Sequence, residues 1–136
     1  QPLSRVITQN SYFLDLCLTP RPRARARFVD RWAPGRFENI GDIFLLPPGF
    51  RMHGCCDQGT QASINCQLAE DFLDRWIGEC QRWDEARLTA GLNIRSVSLR
   101  SVLARLAQEL QSPGFAADVL IESLSMQLAV ELARYF

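Results

Sequence analysis

The chain contains no lysine: all fifteen of its basic residues are arginine, and fifteen acidic residues balance them to a formal net charge of zero. A neutral chain is not a general binder of nucleic acid, which favours a clear surplus of positive charge. No hydrophobic run approaches the ~18 residues of a membrane-spanning helix, and the first residues carry no basic-then-apolar leader. No membrane association is expected, and the cytoplasm is the expected compartment. The five cysteines, Cys17, Cys55, Cys56, Cys66 and Cys80, are odd in number, irregularly spaced and without a CxxC pair. That is a poor disulfide framework and fits a reducing environment. His53 is the single histidine, and there is no glycine-rich phosphate loop, HExxH or nucleophile elbow. These absences argue against an enzyme. No catalytic residue, metal or cofactor is expected.

What is present is 136 residues, 47% of them hydrophobic, enough for one domain with a real core. The first half reads as short strands between proline and glycine turns. Ser11–Leu18 alternates, with Tyr12, Leu14, Leu16 and Leu18 on one face, and Thr19-Pro20-Arg21-Pro22 ends it. Arg23–Trp32 alternates again, setting Arg23, Arg25, Arg27 and Arg31 opposite Ala24, Ala26, Phe28 and Trp32. Asp42–Leu46 is a short apolar strand. Arg51–Cys56 and Thr60–Leu68 read as a hairpin about Asp57-Gln58-Gly59. Five strands at this spacing point to a small antiparallel barrel or sandwich.

From Glu70 the period changes. Phe72, Leu73, Trp76, Ile77 and Cys80 predict a short helix near 70–80, with Gly78 as an interruption. Trp83–Arg95 is ambiguous, and within it Leu92-Asn93-Ile94 fits either a last strand or a connector. Leu99, Val102, Leu103, Leu106 and Leu110 then share one face of a helix over 98–111. Ser112-Pro113-Gly114 reads as a cap and first turn for a second helix running to Tyr135. That second helix is apolar on two sides, through Phe115, Val119, Met126 and Val130 and through Ala117, Ile121, Leu124 and Leu128. Leaving four or five such side chains in water forgoes roughly 1.5–3 kcal/mol each, so a second copy of the chain is the expected cover. The alternative is a central helix wrapped inside a monomer. Leu99, Leu103, Leu106 and Leu110, facing Leu120, Leu124 and Leu128, are the expected dimer interface.

Several blocks carry a resemblance. Trp32-x-Pro34-Gly35-Arg36, Gly41-Asp42-Ile43-Phe44-Leu45-Leu46-Pro47-Pro48-Gly49 and Ser63-Ile64-Asn65-Cys66 resemble the N-terminal sensor domain of AraC/XylS-family transcriptional regulators. Leu106–Leu110 with Pro113-Gly114-Phe115, and then Glu122-Ser123-Leu124, resemble the paired helices that precede the DNA-binding half of that family. The resemblance implies an α+β fold: a cupin-like antiparallel β-barrel over residues 1–95, followed by an antiparallel helix pair over 96–136. It further implies a small-molecule effector, homodimerisation through the helices, and DNA contact only through a helix-turn-helix domain expected beyond Phe136.

Candidate chemistry is sparse. Phe28, Trp32, Phe44, Arg51, His53 and Cys66 are the candidate effector liners, apolar walls with a few polar fixers. His53, Cys55, Cys56 and Cys66 carry ligand-type atoms on strands expected to pair, but one histidine and no carboxylate make ordinary core packing the preferred reading. A Cys55/His53 thiolate pair is conceivable only if geometry joins them. The arginine ladder at Arg21, Arg23, Arg25, Arg27 and Arg31 reads as a solvated strand face, with recognition of an acidic ligand next and nucleic acid last. The rival of another class is a stand-alone cupin-like small-molecule-binding protein or enzyme.

Overall fold

The computed structural model describes residues 3–57, 62–77 and 83–136. Its strands are β1 (Leu3–Ile7), β2 (Tyr12–Cys17), β3 (Arg25–Phe28), β4 (Glu38–Asn39), β5 (Ile43–Leu46), β6 (Met52–Cys56) and β7 (Ser63–Leu68). Its helices are α1 (Glu70–Ile77), α2 (Glu85–Leu92), α3 (Val97–Gln111) and α4 (Ala117–Tyr135). The fold is α+β with two antiparallel sheets, ordered β1-β6-β3-β4 and β5-β2-β7. Among the described residues no closed barrel is found, and the strands form two sheets. The chain divides into two compact units, one of residues 1–70 and 82–95 and one of residues 71–81 and 96–136.

In the first unit, β2 is the middle strand of its sheet and is buried on both faces. Tyr12, Phe13, Leu14 and Leu16 are all removed from water, as is the carboxylate of Asp15. Alternation on β2 therefore does not mark a wet face, because a central strand is covered on either side. The expected hairpin of residues 51–68 does not form. β6 pairs with β1 and β3, with His53 opposite Val6 and Arg27, whereas β7 pairs with β2, with Cys66 opposite Leu14. The turn residues Gln58, Gly59 and Thr60 lie outside the described residues, as do Gly78 and Cys80.

Within the ambiguous residues 83–95, Glu85–Leu92 form α2, and Asn93 and Ile94 after it belong to no strand. Asp84 caps α2, accepting the Arg87 N–H at 2.9 Å, and the helix buries Leu88, Gly91 and Leu92 against β5 and β4. Trp83 stacks at 5.9 Å on Tyr12 and donates its indole N–H to the Tyr12 hydroxyl at 3.2 Å. Beyond the helix, the Ile94 N–H donates to the Ile43 carbonyl, and the Gly41 N–H donates to the Leu92 carbonyl. Gly41 has no room for a side chain: a Cβ there would meet Asn93 Oδ1 at 1.9 Å and Asn93 Cα at 3.2 Å. Gly41→Ala is expected to cost about 1–3 kcal/mol, since the backbone on one side must give way. An unchanged urea midpoint would show that Asn93 swings clear instead.

In the second unit, Ser96 starts α3 by accepting the Leu99 N–H at 3.1 Å, and α3 packs against α4. Leu99, Val102, Leu103 and Leu106 of α3 and Leu124, Leu128, Ala129 and Leu132 of α4 are buried. The expected cap at Ser112 is not found. Ser112 closes α3, donating its N–H to the Gln108 carbonyl at 3.0 Å, and α4 begins after Ala116. Ala116 is left-handed, with φ of 55°, and no side chain caps the helix there. Pro113 and Gly114 are exposed linker, and Glu109 Oε1 accepts the Gly114 N–H at 2.9 Å.

Candidate functional site

Where β1 and β6 of one sheet face β5 of the other, the first unit holds a small open cleft of about 50 Å³. That is well below the ~300–1,000 Å³ of sites for drug-sized molecules, and leaves room only for a small group. Its walls are mostly apolar. Ile7 comes from β1, Phe44 from β5, and Met52, Gly54, Cys55 and Cys56 from β6, with Ala24 and Ile40 between them. Two arginines enter this lining, Arg5 from β1 and Arg21 from the turn after β2.

The turn that delivers Arg21 is held at several points. Two prolines flank the residue and stop the strand, and the Ala24 N–H donates back to the Arg21 carbonyl at 3.1 Å. Arg23 takes a left-handed conformation with φ of 53°, which is costly for a residue with a side chain. Asp57, just past β6, compensates: its N–H donates to the Pro22 carbonyl, and its carboxylate lies 3.4 Å from Arg23 and 3.6 Å from Arg25. Arg21 is thereby set inward. Its side chain is 10% exposed, its guanidinium lies 5.4 Å over the Phe44 ring, and one Nη pairs with the Asp15 carboxylate. Its Nε is buried without a hydrogen-bond partner. Buried polar groups are nearly always satisfied, so an orphan N–H beside a cleft is the unusual feature of this wall.

The arginine ladder thus splits. Arg23 and Arg25 are the outward pair on Asp57, Arg27 donates to the Trp32 carbonyl at 3.3 Å, and Arg31 lies 5.0 Å over Phe50. Only Arg21 of the five lines the cleft between the sheets.

The six candidate effector liners are not brought together. Phe44 lines the cleft. Phe28 and Arg51 border a separate surface hollow, where Arg51 holds Asp30 through two hydrogen bonds of 3.0 and 2.7 Å. Those bonds keep the Asp30 carboxyl below its usual range and raise Arg51. Trp32 is core, edge-on to Phe28 at 5.1 Å and covered by the Arg36 guanidinium at 4.1 Å. Its indole N–H meets no acceptor at full hydrogen-bonding geometry, yet it is the main influence lowering Glu85, followed by Arg36. Cys66 lies on β7, where burial and then the Asp15 carboxylate push its thiol up, making it less nucleophilic than an ordinary cysteine.

His53 faces Ser4 and Cys55. Its Nε2 is 2.7 Å from Ser4 Oγ and 3.5 Å from Cys55 Sγ, and its ring lies edge-on to Phe37 at 5.7 Å. Cys66 belongs to the other sheet and does not join them, so the premise of paired strands behind the four-ligand cluster fails. Among the described residues no three histidine, cysteine or acidic side chains are placed to hold a metal ion.

Sequence reasoning missed Arg5 and Ile7, because β1 went unread although Leu3, Arg5 and Ile7 alternate with Ser4 and Val6. A signal for Arg21 did exist: Asp15 is the lone charge in an otherwise apolar strand, and such a carboxylate needs a nearby cation. No helix among the described residues is long and apolar enough to cross a membrane. No family model matches the chain, and no curated protein is significantly similar to it.

Proposed function

We propose that this chain is the effector-sensing and dimerisation part of an AraC-type transcription regulator, with a cupin-like pair of sheets for a small molecule and a helix pair for a second copy. The observation that carries the reading is the cleft between the sheets, apolar in its walls and supplied with a buried arginine that has a donor to spare. Effector binding there would favour one of two arrangements of the chain, and a DNA-binding half joined to it would respond to that choice. No catalytic role is proposed for the Ser4–His53–Cys55 cluster.

Five of the seven residues expected at the dimer interface are buried within one chain: Leu99, Leu103, Leu106, Leu124 and Leu128. Leu120 is half-buried, and Leu110 is 60% exposed. The dimer surface proposed is therefore the opposite side of the hairpin, where Val119 and Met126 are exposed and share a groove with Val102 and Val130. Its rim carries Glu122, Glu131 and Arg134, both signs together. A self-complementary patch of this kind can place arginine against glutamate across a two-fold axis. Sedimentation should find a dimer at micromolar concentration, and Val119→Glu/Met126→Glu should give a folded monomer, because a charge on the seam loses its water when the copies meet. A double variant that stays dimeric would remove this face from the account. For the regulator reading itself, the discriminating observation is whether the gene continues past codon 136 into two helix-turn-helix patterns.

A further inference from the structure

We infer that the cleft between the sheets receives a small organic anion, a carboxylate held by Arg21 and Arg5. This deepens the sensor reading, resting on it only in taking the cleft as a ligand site.

Charge is the first argument. Arg21 has one acidic partner, Asp15, and Arg5 makes no ion pair among the described residues. Two arginines thus line the cleft against one carboxylate, and the unmatched charge is that of the exposed Arg5. An excess positive charge beside the cleft favours anions over neutral molecules, most strongly at low salt.

Geometry is the second. The Arg21 side chain is nine-tenths buried, its Asp15 pair is on the Nη side, and its Nε is the buried donor left without a partner. A guanidinium presents donors in a rigid planar fork that matches a carboxylate; Nε is itself closed to water, so a ligand oxygen reaches it only with a small shift of the side chains over it. The Phe44 ring against the guanidinium and the Ile7 and Met52 side chains beside it suit an apolar tail behind the acid. A space of about 50 Å³ takes the head of a small acid, with its tail toward the open mouth.

Cys55 and Cys56 line the same cleft, so charge in it can be read with two alkylating reagents of nearly equal size, anionic iodoacetate and neutral iodoacetamide. In each reaction the thiolate sulfur bonds to the reagent's CH₂ carbon and iodide leaves. The ratio of the two rates at one cysteine cancels its thiolate fraction and reports the local preference for an anion. In low-salt buffer, the ratio at the Cys55–Cys56 pair should exceed that at Cys17 by about tenfold or more, the scale of one charge-assisted hydrogen bond. Butyrate should lower the pair's alkylation and butyramide should not. Arg5→Gln, an exposed position, should pull the ratio down toward that of Cys17. Asp15→Asn/Arg21→Gln, which avoids stranding a buried carboxylate, should do the same.

A flat ratio, or one that Arg5→Gln leaves unchanged in folded protein, would overturn the inference. Equal protection by butyrate and butyramide would also overturn it while leaving the sensor reading intact. Protection by inorganic phosphate alone would overturn the carboxylate assignment. No protection by any probe together with a flat ratio would remove the anion and the sensor alike.

Discussion

Arg21→Ala should cost the first unit about 3–5 kcal/mol, because the substitution strands the Asp15 carboxylate inside a sheet. Asp15 is 7% exposed at its side chain and sits between Leu14 and Leu16 on the middle strand β2, with a paired strand on either side. Asp15→Ala is expected to be similarly harmful, leaving a guanidinium buried against Phe44 with its main partner gone. The double change Asp15→Leu/Arg21→Leu should recover most of the loss, since two apolar residues need no partner at all. Urea unfolding of the four proteins gives the comparison. A single variant within about 1 kcal/mol of the parent would show that this pair contributes nothing when its partner is absent.

Leu103→Ala should destabilise the helical unit by about 2–5 kcal/mol, the range for a fully buried leucine whose cavity only partly collapses. Leu110→Ala, on the same nominal stripe, should cost little, because Leu110 already meets water near the end of α3. The contrast matters more than either value. Equal losses would mean that Leu110 is covered by something other than its own chain, and the seam would then extend to the helix end. Thermal melts at two protein concentrations separate that case, because cover from a second copy makes the midpoint depend on concentration.

The helices were legible because their signal is local. Leu99, Val102, Leu103 and Leu106 repeat at the helical period, and the structure buries all four. The boundary at α4 was not, because Ser112-Pro113 has the chemistry of a helix start and yet closes the preceding helix; the left-handed Ala116 decides the matter three residues later. Strand positions could also be read, but strand partners could not. Residues 52–56 and 63–68 are near neighbours in sequence with a turn signal between them, and the turn separates two sheets instead of joining two strands. Register and partner choice depend on what covers each face, which no single segment encodes. The cleft inherits that uncertainty: its arginines come from residues 5 and 21 and its walls from residues 44 and 52–56, and only the pairing of β1 with β6 brings the first and last together. The left-handed Arg23 and the inward turn of Arg21 depend on Asp57, more than thirty residues away, so the arginine ladder could not reveal which rung points inward.

The division of the first unit into residues 1–70 and 82–95 has a consequence for how this molecule comes into being. A nascent polypeptide that has delivered all seven strands still lacks Trp83, Leu88 and Leu92, which seal Tyr12 and β5. Those strands leave the ribosome with an oily flank bare, and before its covering arrives the opening turns of the other unit have already been made. The first unit can close only once residue 95 has been made, with residues 71–81 set aside until the rest of their own unit follows.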